Sequence, residues 1–394
     1  MSDERTEAVE DILIVDDTPD NLRLLSRMLS EQGYGVRAVT SGSRALASVQ
    51  AAPPDLILLD IKMPEMNGYQ VCEALKADPE TRDIPIIFIS ALDAIQDKVQ
   101  AFAVGGVDYV TKPFQLEEVV ARVETHLALR RLQRQLQEAN KRLQDTNRKM
   151  ERELALAGEV QASFLPGELP DVPGWQLAAA LKPARETSGD FYDVIPLSDG
   201  RLGMLIADVV DKGVGAALYM ALSSTLIRTY AVEHPAQPEL VLSAANRRIL
   251  MDTQANQFVT VFYGILDPAT GTLVYSNAGH CPPCFISAQN GKAVQELVRT
   301  GVPLGIFEDE TWEQGVVQIA PGDVLMLYTD GITDAQNAQE AFFGGDRLVA
   351  SARANVGRSA RDIQDAVITA VDEFVGDAPR FDDVALMVVV RDSA

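Results

Sequence analysis

Apolar residues follow three successive patterns along this chain, and each predicts a different kind of structure. In the first stretch, short apolar runs at 12–15, 56–59, 86–89 and 109–110 each end in a polar residue. Buried parallel strands read this way, because helices cover both faces of their sheet. Between the first two runs, Leu22, Leu25, Met28 and Leu29 recur at helical spacing over residues 21–32, and Gly33 stops the pattern. Repeated β-α units of this length predict a doubly wound α/β sheet over residues 1–124.

The pattern changes at residue 125, after which glycine and proline are absent until Gly158. Leu129, Leu136, Leu143 and Met150 recur every seven residues, with Leu132 and Ala139 between them. Such a seam predicts a helical coiled-coil linker over residues 125–165, weakening or shifting at the polar Thr146 and Glu153. The eight basic residues between Arg130 and Arg152 are expected to be its solvated flanks.

Residues 166–394 return to strand-like runs, clearest at 202–206, 258–266, 273–276, 324–328 and 384–390. Asp267-Pro268-Ala269-Thr270-Gly271 joins two of them with hairpin chemistry. Helical patterns at 214–230, 238–251 and 360–375 predict an α+β domain of antiparallel sheets covered by helices. No internal repeat is present.

Composition narrows the classes of function. A net charge of −23 argues against a nucleic-acid partner, which needs Lys and Arg to neutralise phosphates. No apolar stretch approaches the roughly 18–20 residues of a membrane helix. Met1-Ser2-Asp3-Glu4 is too acidic for a signal peptide, and three cysteines make no disulfide framework. The expectation is a cytoplasmic protein without a membrane partner. Cys281-Pro282-Pro283-Cys284 lacks a second ligand pair and reads as a turn after a strand.

The candidate chemistry lies in two acidic constellations. In the first, Asp16, Asp17, Asp60, Ser90 and Lys112 all sit at the carboxyl ends of predicted strands, where open α/β sheets bind ligands. Carboxylates brought together repel unless a cation lies between them, and oxygen-only ligands point to Mg²⁺. The ion and a lysine would neutralise a phosphoryl group while one carboxylate attacks phosphorus.

These residues resemble the receiver domain of two-component response regulators. The resemblance runs through Asp16-Asp17, Leu58 to Gly68, Ser90-Ala91 and Asp108 to Phe114. It implies a flavodoxin-like fold in which Asp60 takes a phosphoryl group from a histidine kinase or phosphotransfer protein. Asp17, Asp60 and the Lys62 carbonyl would bind Mg²⁺, with Asp16 helping through water. Ser90 and Lys112 would contact the phosphoryl oxygens, Tyr109 would reorient with Ser90, and the Lys112–Pro113 bond would be cis.

The second constellation is Asp190, Asp208, Asp330 and Asp382, each at the edge of a predicted strand. Carboxylates without His or Cys suit hard octahedral ions, and two such ions sharing a carboxylate can activate a water toward phosphorus. Surface aspartates in turns would look the same from spacing alone. Residues 150–394 resemble the PPM/PP2C serine/threonine phosphatases, in the bacterial SpoIIE/RsbU-like branch. The motifs are Gly189-Asp190-Phe191-Tyr192-Asp193, Ala207-Asp208-Val209, Asn277 to His280, Leu327 to Ala335 and Asp382-Asp383, preceded by the helix from Leu154 to Leu165.

The resemblance implies a β-sandwich flanked by helices and a centre of two Mg²⁺ or Mn²⁺ ions. Asp208 would bridge both, Asp190 and the Val209 carbonyl would bind one, and Asp330 and Asp382 the other. Asp193, Asp383 and Asp211 are further candidates. The chain departs from the family pattern at Ser188, Ala207, Asp211 and Ala385, none of which removes a metal carboxylate. By analogy with the fold, His280 is expected to be structural.

The expected protein is a response regulator whose receiver controls a phosphatase acting on phosphoserine or phosphothreonine. Its substrate would be a phosphorylated regulatory protein of a sigma-factor or partner-switching pathway, and residues 129–150 would form a homodimer seam. The rival reading, similar in architecture to RssB-type regulators, is a non-catalytic adaptor that binds a stress sigma factor or its regulator.

Overall fold

The computed structural model describes residues 9–90, 95–253, 257–289 and 293–393. The polar start at 1–4 and Ala91 of the receiver motif lie outside the described residues. The chain divides into two compact units, Met1–Thr146 and Asn147–Ala394.

The first unit alternates strand and helix throughout. Its elements are β1 (Asp11–Val15), α1 (Pro19–Glu31), β2 (Gly35–Val39), α2 (Gly42–Ala51) and β3 (Leu56–Asp60). They continue with α3 (Gly68–Ala77), β4 (Ile86–Ser90), α4 (Ile95–Ala103) and β5 (Asp108–Thr111). All pairings are parallel, in the order β2-β1-β3-β4-β5. Side chains alternate across β1, so Leu13 and Val15 enter one core and Ile12 and Ile14 the other. Strands buried on both faces explain the unbroken apolar runs. The edge strand β2 escapes that signature because Arg37 interrupts it and reaches Asp11 Oδ2 at 2.6 Å.

α5 runs from Leu116 to Ala162, so the proposed linker continues a helix that begins inside the receiver. Three of its basic residues bond back to the receiver, Arg130 half-buried and Arg131 and Arg134 exposed. Arg130 donates to the carbonyls of Pro54, at 2.8 Å, and Asp55. Arg131 pairs with Glu10 at 3.1 Å and Arg134 with Asp55 at 3.0 Å. Leu129, Leu132, Leu136, Leu143 and Met150 are exposed.

The second unit stacks helices, sheet, sheet and helices. Its strands and helices begin with β6 (Trp175–Lys182), β7 (Asp190–Pro196), β8 (Leu202–Val209), α6 (Val214–Glu233) and α7 (Pro238–Asp252). There follow β9 (Val259–Asp267), β10 (Thr272–Ala278), β11 (Cys284–Ser287), β12 (Ala293–Glu296), β13 (Gly315–Gln318) and β14 (Val324–Tyr328). The last elements are α8 (Asp330–Thr333), α9 (Gly344–Ala354), α10 (Ala360–Val375) and β15 (Val384–Arg391).

Among the described residues the two antiparallel sheets run β13-β10-β9-β8-β7 and β12-β11-β14-β15-β6. β15 shows why its sequence has no alternation. Leu386, Val388 and Val390 pack under α9 and α10, whereas Ala385, Met387 and Val389 face the other sheet. Each such buried Leu, Val or Met side chain contributes about 1.5–3 kcal/mol of transfer free energy. No helix among the described residues is long and apolar enough to cross a membrane.

Candidate functional site

In the first unit, the carboxyl ends of β1 and β3 bring Asp16, Asp17 and Asp60 together. Their carboxylate oxygens lie within 4.8 Å of one another, with Asp16 and Asp60 buried and Asp17 exposed. Lys112 follows β5 and donates to Asp16 Oδ2 at 2.9 Å, standing 3.1 Å from Asp60 Oδ1. Burial works against the ammonium, but its bonds to the two aspartates prevail and raise its pKa. Burial also raises the Asp60 pKa; Lys112 opposes this and Asp16 reinforces it.

Asn21, which sequence reasoning did not single out, donates to both oxygens of Asp16 at 3.1 and 2.9 Å. Ser90 is buried at the end of β4. Tyr109 is half-buried, edge-on to Phe102 at 6.2 Å. Lys62 is exposed two residues beyond Asp60. The Lys112–Pro113 bond is cis, as expected. Gly68 packs so closely that a Cβ there would lie 2.3 Å from the Asp60 carbonyl oxygen, which accounts for the glycine in that motif.

In the second unit, Asp190 on β7 stands directly opposite Asp208 on β8. Asp330 opens α8 and Asp382 precedes β15. Thr329 Oγ1 donates to Asp190 Oδ2 at 2.6 Å and accepts from the Ala385 N–H at 2.9 Å. Asp190 also shares a side-chain hydrogen bond with Asp208. Burial, then the Asp208 charge, holds the Asp190 carboxyl well above the usual range. Burial, then Asp330, pushes Asp208 up to about 7. Burial and Asp382 raise Asp330 as well, with Lys212 opposing.

Asp190, Asp208 and Asp330, whose carboxyls are held above their ordinary range, form with Asp382 a donor set suited to hard divalent cations. They lie more openly than the receiver trio, which alone among the described residues closes to within 4.8 Å. Lys212 Nζ stands 2.8 Å from Asp382 Oδ1. A Cβ on Gly189 would lie 3.0 Å from the Val209 carbonyl oxygen, so glycine keeps that acceptor clear.

The three further candidates are not brought into this cluster. Asp193 lies three residues from Asp190 on an alternating strand and therefore faces the helices, where Arg228 of α6 holds it at 2.6 Å. Asp383 stands beside the cluster but accepts from the N–H groups of Ala184 at 2.7 Å and Gly189 at 2.8 Å. It thereby clamps the loop ahead of Asp190. Asp211 is exposed and accepts from the Lys212 N–H at 2.9 Å.

Both ring nitrogens of buried His280 are engaged. Nε2 lies 3.1 Å from the Tyr328 carbonyl oxygen, so it carries the proton, and Nδ1 accepts from Thr260 Oγ1 at 2.9 Å. Cys281 and Cys284 are free thiols flanking the turn between β10 and β11.

The comparisons with known proteins agree with this division. Residues 12–124 match the response regulator receiver domain, and residues 198–392 match the stage II sporulation protein E (SpoIIE) family. The chain carries a receiver domain followed by a SpoIIE/PP2C-type phosphatase domain. Among individual relatives, it is similar to protein IcfG of Synechocystis, at 33% identity over 61% of this chain and 41% of IcfG. It is also similar to the phosphoserine phosphatase RsbU of Bacillus subtilis, at 28% identity over 49% of this chain and 57% of RsbU. The chain thus spans about half of these relatives' length. The SiaA-PP2C domain of Pseudomonas aeruginosa shares the fold, with a TM-score of 0.55 at 22% identity, over 63% of this chain and 99% of that domain.

Proposed function

We propose that this protein is a metal-dependent phosphoserine/phosphothreonine phosphatase controlled by phosphorylation of Asp60. The observation that carries the reading is the facing pair Asp190 and Asp208, whose carboxyls are held above their ordinary range by burial first and by neighbouring acids second, Asp208 beside Asp190 and Asp330 beside Asp208. Asp190, Asp208, the Val209 carbonyl, Asp330 and Asp382 would hold two Mg²⁺ or Mn²⁺ ions. Bound there, the ions supply Lewis acidity and lower the pKa of water. Thr329, itself held by the Ala385 N–H, fixes one oxygen of Asp190, and Asp383 fixes the loop before it, so the site is shaped by its surroundings. Water adds to phosphorus, the bond to the serine or threonine oxygen breaks, and that oxygen takes a proton.

In the receiver, Asp60 would accept the phosphoryl group from a histidine kinase or phosphotransfer protein, with Ser90 and Lys112 on its oxygens and Tyr109 following Ser90. Asp16, Asp17, Asp60 and the Lys62 carbonyl would hold Mg²⁺. The exposed seam of Leu129, Leu136, Leu143 and Met150 supports a homodimer through the linker. The phosphatase substrate would be a phosphorylated regulatory protein, and the setting cytoplasmic.

The test is Mn²⁺-dependent phosphate release from phosphoserine peptides by the intact chain, its Asp208→Asn variant and the chain with an acyl-phosphate mimic on Asp60. The expected result is turnover that Asp208→Asn abolishes and the mimic changes. Absence of turnover and of bound Mn²⁺ in every form would leave the adaptor reading.

A further inference from the structure

The loop between β8 and α6 does more than connect them. Asp211 has a φ of 83°, in the left-handed region that residues with a Cβ rarely adopt, and Gly213 follows at 84°. Two left-handed residues thus flank Lys212. Strain of this kind is retained where the surrounding structure or a function requires it. Here it turns Lys212 back across the acidic cluster, where Nζ lies 2.8 Å from Asp382 Oδ1 and donates to the Phe381 carbonyl. The Lys212 and Asp382 side chains are 37% and 45% exposed, so the pair lies on the solvent side of the site, with Asp190 buried beneath.

We propose that Lys212 is a phosphoryl-binding residue, parked on Asp382 and released to the substrate's phosphate oxygens when a divalent cation takes that carboxylate. The proposal rests on the metal-phosphatase reading above. Its first support is electrostatic. Two divalent ions would only balance the charge of Asp190, Asp208, Asp330 and Asp382, leaving that of an incoming phosphate monoester to be met by another cation. Its second support is chemical. An ammonium is a compact charge with three donors on a flexible stem, able to leave one oxygen for another without changing the backbone. A lysine that served only to tie the loop to β15 would not need to sit at the solvent-facing edge of the cluster.

The test uses the full chain with Lys212→Gln and Lys212→Arg, and reads two quantities. Calorimetric titration with Mn²⁺, without substrate, should show tighter binding by about two- to fivefold in Lys212→Gln, the range an exposed ion pair allows. At saturating Mn²⁺, inhibition by inorganic phosphate should weaken by about tenfold in Lys212→Gln and recover in Lys212→Arg. Unchanged phosphate inhibition, or Mn²⁺ binding equal to or weaker than wild type in Lys212→Gln, would overturn the proposal. If the wild type itself neither binds Mn²⁺ nor releases phosphate, the metal-phosphatase reading fails first. If it does both, and only Asp208→Asn differs from it, the Lys212 assignment alone fails.

Discussion

Gln161, in the last turn of α5, holds both backbone groups of Ser188, two residues before Asp190. Its Oε1 accepts from the Ser188 N–H at 2.9 Å, and its Nε2 donates to the Ser188 carbonyl. Ser188 Oγ in turn accepts from the Asp190 N–H at 3.0 Å. One turn earlier, a Cβ on Gly158 would lie 2.1 Å from the Glu186 carbonyl oxygen, so helix and loop are in direct contact. Gln161→Ala leaves two buried backbone groups without partners and should cost about 2–4 kcal/mol. It should also weaken Mn²⁺ binding through Asp190. Urea denaturation and calorimetry check the two effects; an unchanged denaturation midpoint would contradict the role given to this contact.

The left-handed backbone at Asp211 makes its own forecast. With φ at 83°, Asp211→Gly removes the Cβ that the conformation disfavours, whereas Asp211→Val adds branching to it. Stability should rank Gly at or above Asp, with Val lower than Asp by about 1–2 kcal/mol. Thermal denaturation of the three proteins gives the order. A valine variant as stable as the wild type would show that the loop relaxes freely.

How far these sites were legible depends on how local their determinants are. The receiver acids each follow an apolar run directly, so strand end and functional group are read together. The phosphatase acids were legible as motifs, but their supports were not. Lys212 meets Asp382, Asp383 meets Ala184 and Gly189, and Gln161 meets Ser188 only through the folded sheets. β6 carries no strand signal because Trp175–Lys182 is rich in Ala and Leu, good helix formers; pairing with β15 along its whole length overrides that preference. The side that Asp193 faces is legible from the strand pattern. Three residues from Asp190 on an alternating strand, it had to face the opposite side.

His280 predicts a pH dependence. Burial pushes its imidazole down to about 4 from an ordinary 6.5. The unfolded chain therefore binds a proton that the folded protein refuses between those values. The contribution is fully present above pH 6.5 and is lost as pH falls toward 4. The advantage of wild type over His280→Gln should shrink by about 2 kcal/mol between pH 7 and pH 5. Denaturation of both proteins at the two pH values isolates this group from the carboxyls, whose raised pKa values act in the opposite direction. A difference that stays constant with pH would mean that His280 titrates normally.

Arg130 tests where the receiver ends. It is half-buried and donates to the carbonyls of Pro54 and Asp55, and its burial lowers the guanidinium pKa to about 10. Arg134, one turn on, makes a more exposed pair with the Asp55 side chain at 3.0 Å. Arg130→Ala removes charge-assisted bonds to two carbonyls and should cost about 1.5–3 kcal/mol. Arg134→Ala removes a solvent-screened pair and should cost less than about 1 kcal/mol. The same reasoning predicts that a receiver fragment cut after residue 124 unfolds at lower urea than one cut after 136, which retains both arginines and their helix. Equal midpoints for the two fragments would place the receiver boundary at 124 and reduce Arg130 to a surface contact.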